Sequence, residues 1–194
     1  ILKNLNIKHA HFVGTSYGGE VALNIGFRFK NYVDSLTIID SVASLDDALK
    51  EKINRWIDLA QTKDGSKFFK GMVKDIYSGN YILKNIEMLE ARAIKMRELP
   101  EHYLKGQIKL YETFLNDVSM LTHLSDISSP TLIVCGDKDT LKPLKFSKEI
   151  HKAIKGSQYV ILPDTGHVAI FEKHHELETL LIGFITKHQH KASR

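Results

Sequence analysis

The 194-residue chain holds one cysteine, Cys135, which excludes an internal disulfide. That thiol lies within the apolar run Pro130–Gly136 and reads as inert core, a usage that fits a reducing compartment and a cytoplasmic protein. No apolar run approaches the roughly 20 residues of a membrane span. Charge of one sign is also scarce. The net charge is +4, and residues 44–129 carry 13 basic against 13 acidic side chains, so no basic stripe points to nucleic acid. There is no internal repeat and no low-complexity segment. No cofactor fingerprint and no metal-ligand spacing stands out. The tail His188-Gln189-His190-Lys191 is at most a weak metal-binding run and reads better as a frayed end.

What is present is chemistry at strand ends. Gly14-Thr15-Ser16-Tyr17-Gly18 follows the short apolar run His11-Phe12-Val13 and opens a helix at Gly19-Glu20-Val21. A G-x-S-x-G elbow needs that strand–turn–helix setting to hold a serine at the tip of a sharp turn. The glycines are expected at positions where a Cβ would collide. The Tyr17 N–H, at the helix N-terminus, points to where charge develops on a bound carbonyl oxygen. A serine hydroxyl needs a base, and the base needs an orienting acid. The run Pro130–Gly136 reads as a buried strand ending in Asp137-Lys138-Asp139, 123 residues beyond Ser16. Gln158–Leu162 reads as another strand, followed by Pro163-Asp164-Thr165-Gly166-His167, 28 residues past Asp139. Both candidates fall just past strand ends, where open α/β sheets build their sites.

These three segments, with Phe171-Glu172-Lys173 after the histidine, resemble the α/β-hydrolase superfamily in its Ser…Asp…His order. The resemblance implies an α/β fold: a mostly parallel sheet flanked by helices, with an inserted all-helical cap. It implies Ser16 as nucleophile, His167 as general base and Asp139 as acid. Asp40, at the end of the strand Leu36–Ile39, and Asp137 are the alternative acids, with Asp137 read as a turn cap. The core is expected in residues 1–43 and 130–194 and the cap in 44–129. Helices are read in the cap from Ser44 as N-cap, then over about Ser66–Tyr77, Tyr81–Leu99 and Glu101–Asn116, with a last core helix over about Ala169–His188. Trp56, Phe69, Met72, Tyr111 and Val168 are the candidate pocket residues. No metal or cofactor is implied.

Two departures from the family follow. The chain opens at Ile1 in a helix-like stretch, Ile1–Leu5, directly ahead of the elbow strand, and contains no His-Gly pair to supply a second oxyanion donor. The expectation is therefore an N-terminally incomplete enzyme. Its elbow strand would be a sheet edge that pairs with the missing half or with a second chain. A charge-balanced, apolar cap favours a small to medium neutral substrate: an ester, thioester or lactone hydrolysed through an acyl-enzyme. Acyl transfer, including hydroxyacyl transfer, on the same three residues is the alternative, and a non-catalytic binding member of the fold the remaining one. A serine at the elbow argues against the carboxylate nucleophile of dehalogenases and epoxide hydrolases.

Overall fold

The structure is a computed structural model and describes residues 1–189. In chain order it comprises β1 (Ala10–Thr15), α1 (Tyr17–Arg28), β2 (Val33–Ile39), α2 (Asp47–Gln61), α3 (Gly65–Ile76), α4 (Gly79–Lys84), α5 (Ile86–Lys95), α6 (Glu101–Asp117), β3 (Thr131–Gly136), α7 (Leu144–Ala153), β4 (Gln158–Leu162), α8 (Ala169–Glu172) and α9 (His174–His188). The four strands form one parallel sheet in the order β1-β2-β3-β4. Each parallel neighbour needs a crossover, and helices supply all three.

The alternation of side chains along the strands divides the core in two. Leu36, Ile38 and Ile133 pack on one face with Leu23 of α1 and with Phe146 and Ile150 of α7. Ile39, Leu132, Val134 and Leu162 pack on the other with Ala169, Leu177 and Phe184 of α8 and α9. Both faces are covered, as a parallel sheet requires. The first cluster continues beyond the sheet into Leu49, Ile53, Trp56, Phe68, Tyr111 and Phe114, so the helices between β2 and β3 share one apolar interior with the sheet. No helix among the described residues is long and apolar enough to cross a membrane.

Several expected elements differ in detail. Ile1–Leu5 forms turns, and Asn6, in the left-handed region at φ 56°, stops them from propagating as a helix. The cap of α2 is Asp46, whose Oδ1 accepts from the Leu49 N–H at 2.8 Å, whereas the Ser44 hydroxyl donates to Glu149. The Tyr81–Leu99 helix is interrupted at Asn85, whose side-chain amide donates to the Tyr81 carbonyl and competes with the helical ladder. The last helix breaks at Lys173, which leaves helical geometry at φ −139° and ψ 45°. Cys135 is fully buried in β3. β1 is an edge of this sheet, with Val13 47% exposed.

Candidate active site

Ser16 directly follows β1 and adopts φ 53° and ψ −121°, a strained conformation for a residue with a Cβ. Two hydrogen bonds hold this conformation. The Ser16 N–H donates to the Ile39 carbonyl at 2.8 Å, and the Ser41 hydroxyl donates to the Ser16 carbonyl at 2.6 Å. The turn is also tightly packed: a Cβ on Gly14 would lie 2.1 Å from the Gly18 carbonyl oxygen, and one on Gly19 would lie 1.8 Å from the Ser41 hydroxyl oxygen. Gly18 itself needs no such allowance, because a Cβ there would meet nothing within 4 Å. The close approach runs through its backbone, and the expectation of a collision at every glycine is corrected accordingly. Tyr17 is the first residue of α1, where backbone N–H groups have no partner within the helix.

Asp139 lies in the turn after β3. Its Oδ1 accepts from the N–H groups of Leu141 at 2.9 Å and Lys142 at 2.8 Å. That fixes the carboxylate and leaves Oδ2 for His167 Nδ1, at 2.8 Å. His167 Nε2 is 2.8 Å from Ser16 Oγ. With Nδ1 protonated and donating to Asp139, Nε2 is left as an acceptor for the serine hydroxyl. Such a chain can move a proton from the hydroxyl to the imidazole while the buried carboxylate stabilises the resulting cation. The acid loop and the histidine loop are tied together by the Lys138 N–H on the Thr165 carbonyl, at 2.8 Å.

The two other carboxylates occupy different stations. Asp137 accepts the Thr165 N–H at 3.3 Å and pairs with Lys138. Asp40 is fully buried and accepts from the Gly136 N–H at 3.0 Å and the Ala169 N–H at 3.4 Å. Burial, with Asp139 close by, pushes its carboxyl up to about 7 despite the opposing influence of His167. Asp40 therefore bridges β3 to the start of α8 beneath the site.

A cavity of about 290 Å³ opens onto Ser16 and His167. Of the candidate pocket residues, Trp56, Met72, Tyr111 and Val168 line it. Phe69 does not. It packs with Tyr77, Leu89 and Ala93, with the Arg92 guanidinium 5.4 Å above its ring. Along α3, Met72 and Ile76 reach the cavity, whereas the neighbouring Phe69 and Val73 turn toward α5. Trp56 is oriented by donation from Nε1 to Asp75 at 2.8 Å and meets Tyr111 edge-on at 5.6 Å. Burial raises the Tyr111 phenol far above its ordinary value and keeps it protonated.

Sequence reasoning passed over two charged residues here. Lys142 is on the cavity wall, and its ammonium pairs at 2.8 Å with Glu20, with both side chains only 3% exposed. Glu20 Oε1 also accepts the Val42 N–H at 2.9 Å. The available signal was an acidic residue on the otherwise apolar inner face of α1, alongside Gly19, Ala22 and Leu23. Among the described residues, no group of three or more His, Cys, Asp or Glu side chains is placed to hold a metal. His188 ends α9, and His190 and Lys191 lie outside the described residues.

The family model described as alpha/beta hydrolase fold matches residues 1–174. The chain belongs to the α/β-hydrolase fold family. Among curated relatives, it is 26% identical over 185 residues to the proline iminopeptidase of Saccharolobus solfataricus, covering 83% of this chain and 57% of that protein. Among solved structures, MGS-M2, an α/β-hydrolase enzyme from a Medee basin deep-sea metagenome library, superposes with a TM-score of 0.89 at 24% identity, covering 100% of this chain and 70% of that one. Est816, described as an N-acyl homoserine lactone degrading enzyme, superposes with a TM-score of 0.74 at 25% identity, covering 94% and 70%. As an α/β hydrolase, the chain has its three candidate residues where such a sheet presents chemistry, at the carboxyl ends of parallel strands.

Proposed function

We propose that this chain carries the catalytic centre of a serine hydrolase that cleaves an ester, thioester or lactone through an acyl-enzyme. The single observation that carries the reading is the unbroken chain Ser16 Oγ–His167–Asp139, with 2.8 Å at both links, opening onto an apolar cavity. Ser16 Oγ attacks the carbonyl carbon while His167 Nε2 takes its proton. Negative charge on the former carbonyl oxygen is met by the Tyr17 N–H and the N-terminus of α1. The imidazolium then hands its proton to the departing alkoxide, and the C–O bond breaks. Water then attacks the acyl carbon as His167 takes its proton; the bond to Ser16 Oγ breaks, His167 returns the proton to that oxygen, and the acid leaves. Helices α2 to α6 act as a cap that walls the acyl group away from water.

The Saccharolobus relative raises peptide chemistry as a competitor. A peptidase of free N-termini must hold a substrate ammonium, which calls for a carboxylate at the pocket wall. Here the charged side chain on the wall, apart from His167, is Lys142. That favours an ester or lactone; Est816 is described as degrading an N-acyl homoserine lactone. The open edge of β1 completes the reading of partners: a further strand, from this protein or a second copy, pairs along Ala10–Val13, because an edge with exposed backbone groups invites one.

Fluorophosphonate labelling followed by peptide mapping tests the reading. Modification at Ser16, abolished in His167→Ala, is expected. An unlabelled Ser16 in protein that still hydrolyses a phenyl ester overturns it.

A further inference from the structure

The Glu20–Lys142 pair has no role in the steps above, and stability is a weak explanation for it. Replacing a buried ion pair with well-packed apolar side chains is often neutral or stabilising. This pair is also only half satisfied: Glu20 Oε1 takes both the Val42 N–H and the Lys142 ammonium, while Oε2 is buried without a hydrogen-bond partner. An ammonium group offers three donors. Lys142 directs one at Glu20, and its Nζ stands 4.9 Å from the ring centre of Phe114. Phe114 and Lys142 are both cavity-lining residues, on the same cavity as Ser16 and His167.

The remaining polar side chains of that wall share a property. The Tyr111 hydroxyl has only a 4.0 Å contact to Met72 Sδ, and Gln107 brings an amide. Lysine, tyrosine and glutamine each bring a hydrogen-bond donor to this wall, and the lysine can only donate. A purely hydrocarbon acyl group would offer the spare donors of Lys142 and the Tyr111 hydroxyl no further partner, which is costly for buried polar groups. An oxygen acceptor on the acyl group would satisfy them. Charge decides which kind of oxygen. Glu20 already balances the ammonium, so a carboxylate would bring an uncompensated negative charge into a low-dielectric site beside Asp139, whereas a neutral oxygen adds none.

We propose that Lys142, held by Glu20, is a specificity-determining residue that selects acyl groups carrying a neutral hydrogen-bond-accepting oxygen, an oxo or hydroxy substituent, over plain hydrocarbon acyl groups. It takes from the serine-hydrolase reading only that the acyl group is the part that fills the cavity.

Binding to the Ser16→Ala chain tests this without turnover. Trp56, the one tryptophan, lines the cavity and reports occupancy by fluorescence. Phenyl hexanoate is compared with its 3-oxo and 5-oxo counterparts. At least one oxo ester should bind ~10- to 100-fold more tightly, the range of a hydrogen bond to a charged donor. Adding Lys142→Met should bring that ratio to within about twofold of unity. Because that change strands Glu20, the Glu20→Gln/Lys142→Met pair is measured in parallel, with thermal unfolding to verify the fold. Equal binding of oxo and plain esters to Ser16→Ala overturns the inference. So does an oxo preference that survives in the folded double variant. Failure of the hydrolase reading shows elsewhere, as an unlabelled Ser16 in the fluorophosphonate experiment, so the two are distinguishable.

Discussion

Ser16, Asp139 and His167 each sit just past a parallel strand, on loops fixed largely by backbone hydrogen bonds: Ser16 N–H to Ile39, Lys138 N–H to Thr165, and two N–H groups on Asp139. Trp56, Met72 and Tyr111 sit above them on helices held mainly by side-chain packing. The floor is specified by turn chemistry, which is local and directional. The roof is specified by apolar burial, which is non-directional and tolerates repacking. Floor substitutions should therefore affect the rate of the chemical step steeply, and roof substitutions should shift substrate preference gently.

The largest effect should come from Ser16→Ala. Loss of the nucleophile is expected to lower kcat by ~10⁵-fold or more on a phenyl ester, with binding retained. More than a tenth of the parental activity would remove Ser16 from its role. Next is Asp139→Asn, which should hold His167 in the wrong tautomer and reduce kcat by roughly 10⁴-fold with the fold intact. Asp40→Asn should be far milder in kcat, since the Asp40 carboxylate is hydrogen-bonded to backbone N–H groups, those of Gly136 and Ala169, while Asp139 holds His167. The reverse ranking would reassign the acid.

The floor also has a pH signature. Asp40 is raised in the folded state to about 7, from an ordinary 3.8. A raised carboxyl holds its proton more tightly when folded, so ionising it costs stability. Its contribution should decline as pH climbs from about 4 to 7 and stay flat above, a change on the order of a few kcal/mol at most. Chemical denaturation across that window should show a shallower decline in Asp40→Asn than in the parent. Parallel curves would show that Asp40 is not the group responsible.

The smallest effects sharpen the roof. Met72→Ala should enlarge the cavity and shift kcat/KM by about tenfold toward longer acyl chains. Phe69→Leu, outside the cavity, should leave the chain-length profile within about twofold while costing around 1 kcal/mol of stability. If Phe69→Leu moves the acyl profile as much as Met72→Ala, the division of α3 into two faces is wrong.

The candidate chemistry was legible because it is encoded locally. Ser16 lies in a five-residue turn pattern, and Asp139 and His167 follow short apolar runs that read as strands. The separation of Asp139 from Asp40 and Asp137 was not local. It depends on which carboxylate the turn N–H groups of Leu141 and Lys142 aim at His167.

By itself the sequence determined the alternation of strands and helices, the strand-end positions of Ser16, Asp139 and His167, and the helical character of residues 44–129, because hydrophobic period and turn residues act over a few positions; the parallel sheet was implied by the family resemblance. Only the tertiary structure decided that Met72 faces the cavity and Phe69 does not. Helical periodicity puts both on an apolar side, but not against which neighbour. It alone brought Glu20 and Lys142, 122 residues apart, into a 2.8 Å contact behind the cavity wall. A buried pair between distant residues exists only once the sheet has set α1 against the turn after β3, and nothing in the local pattern of either segment records it.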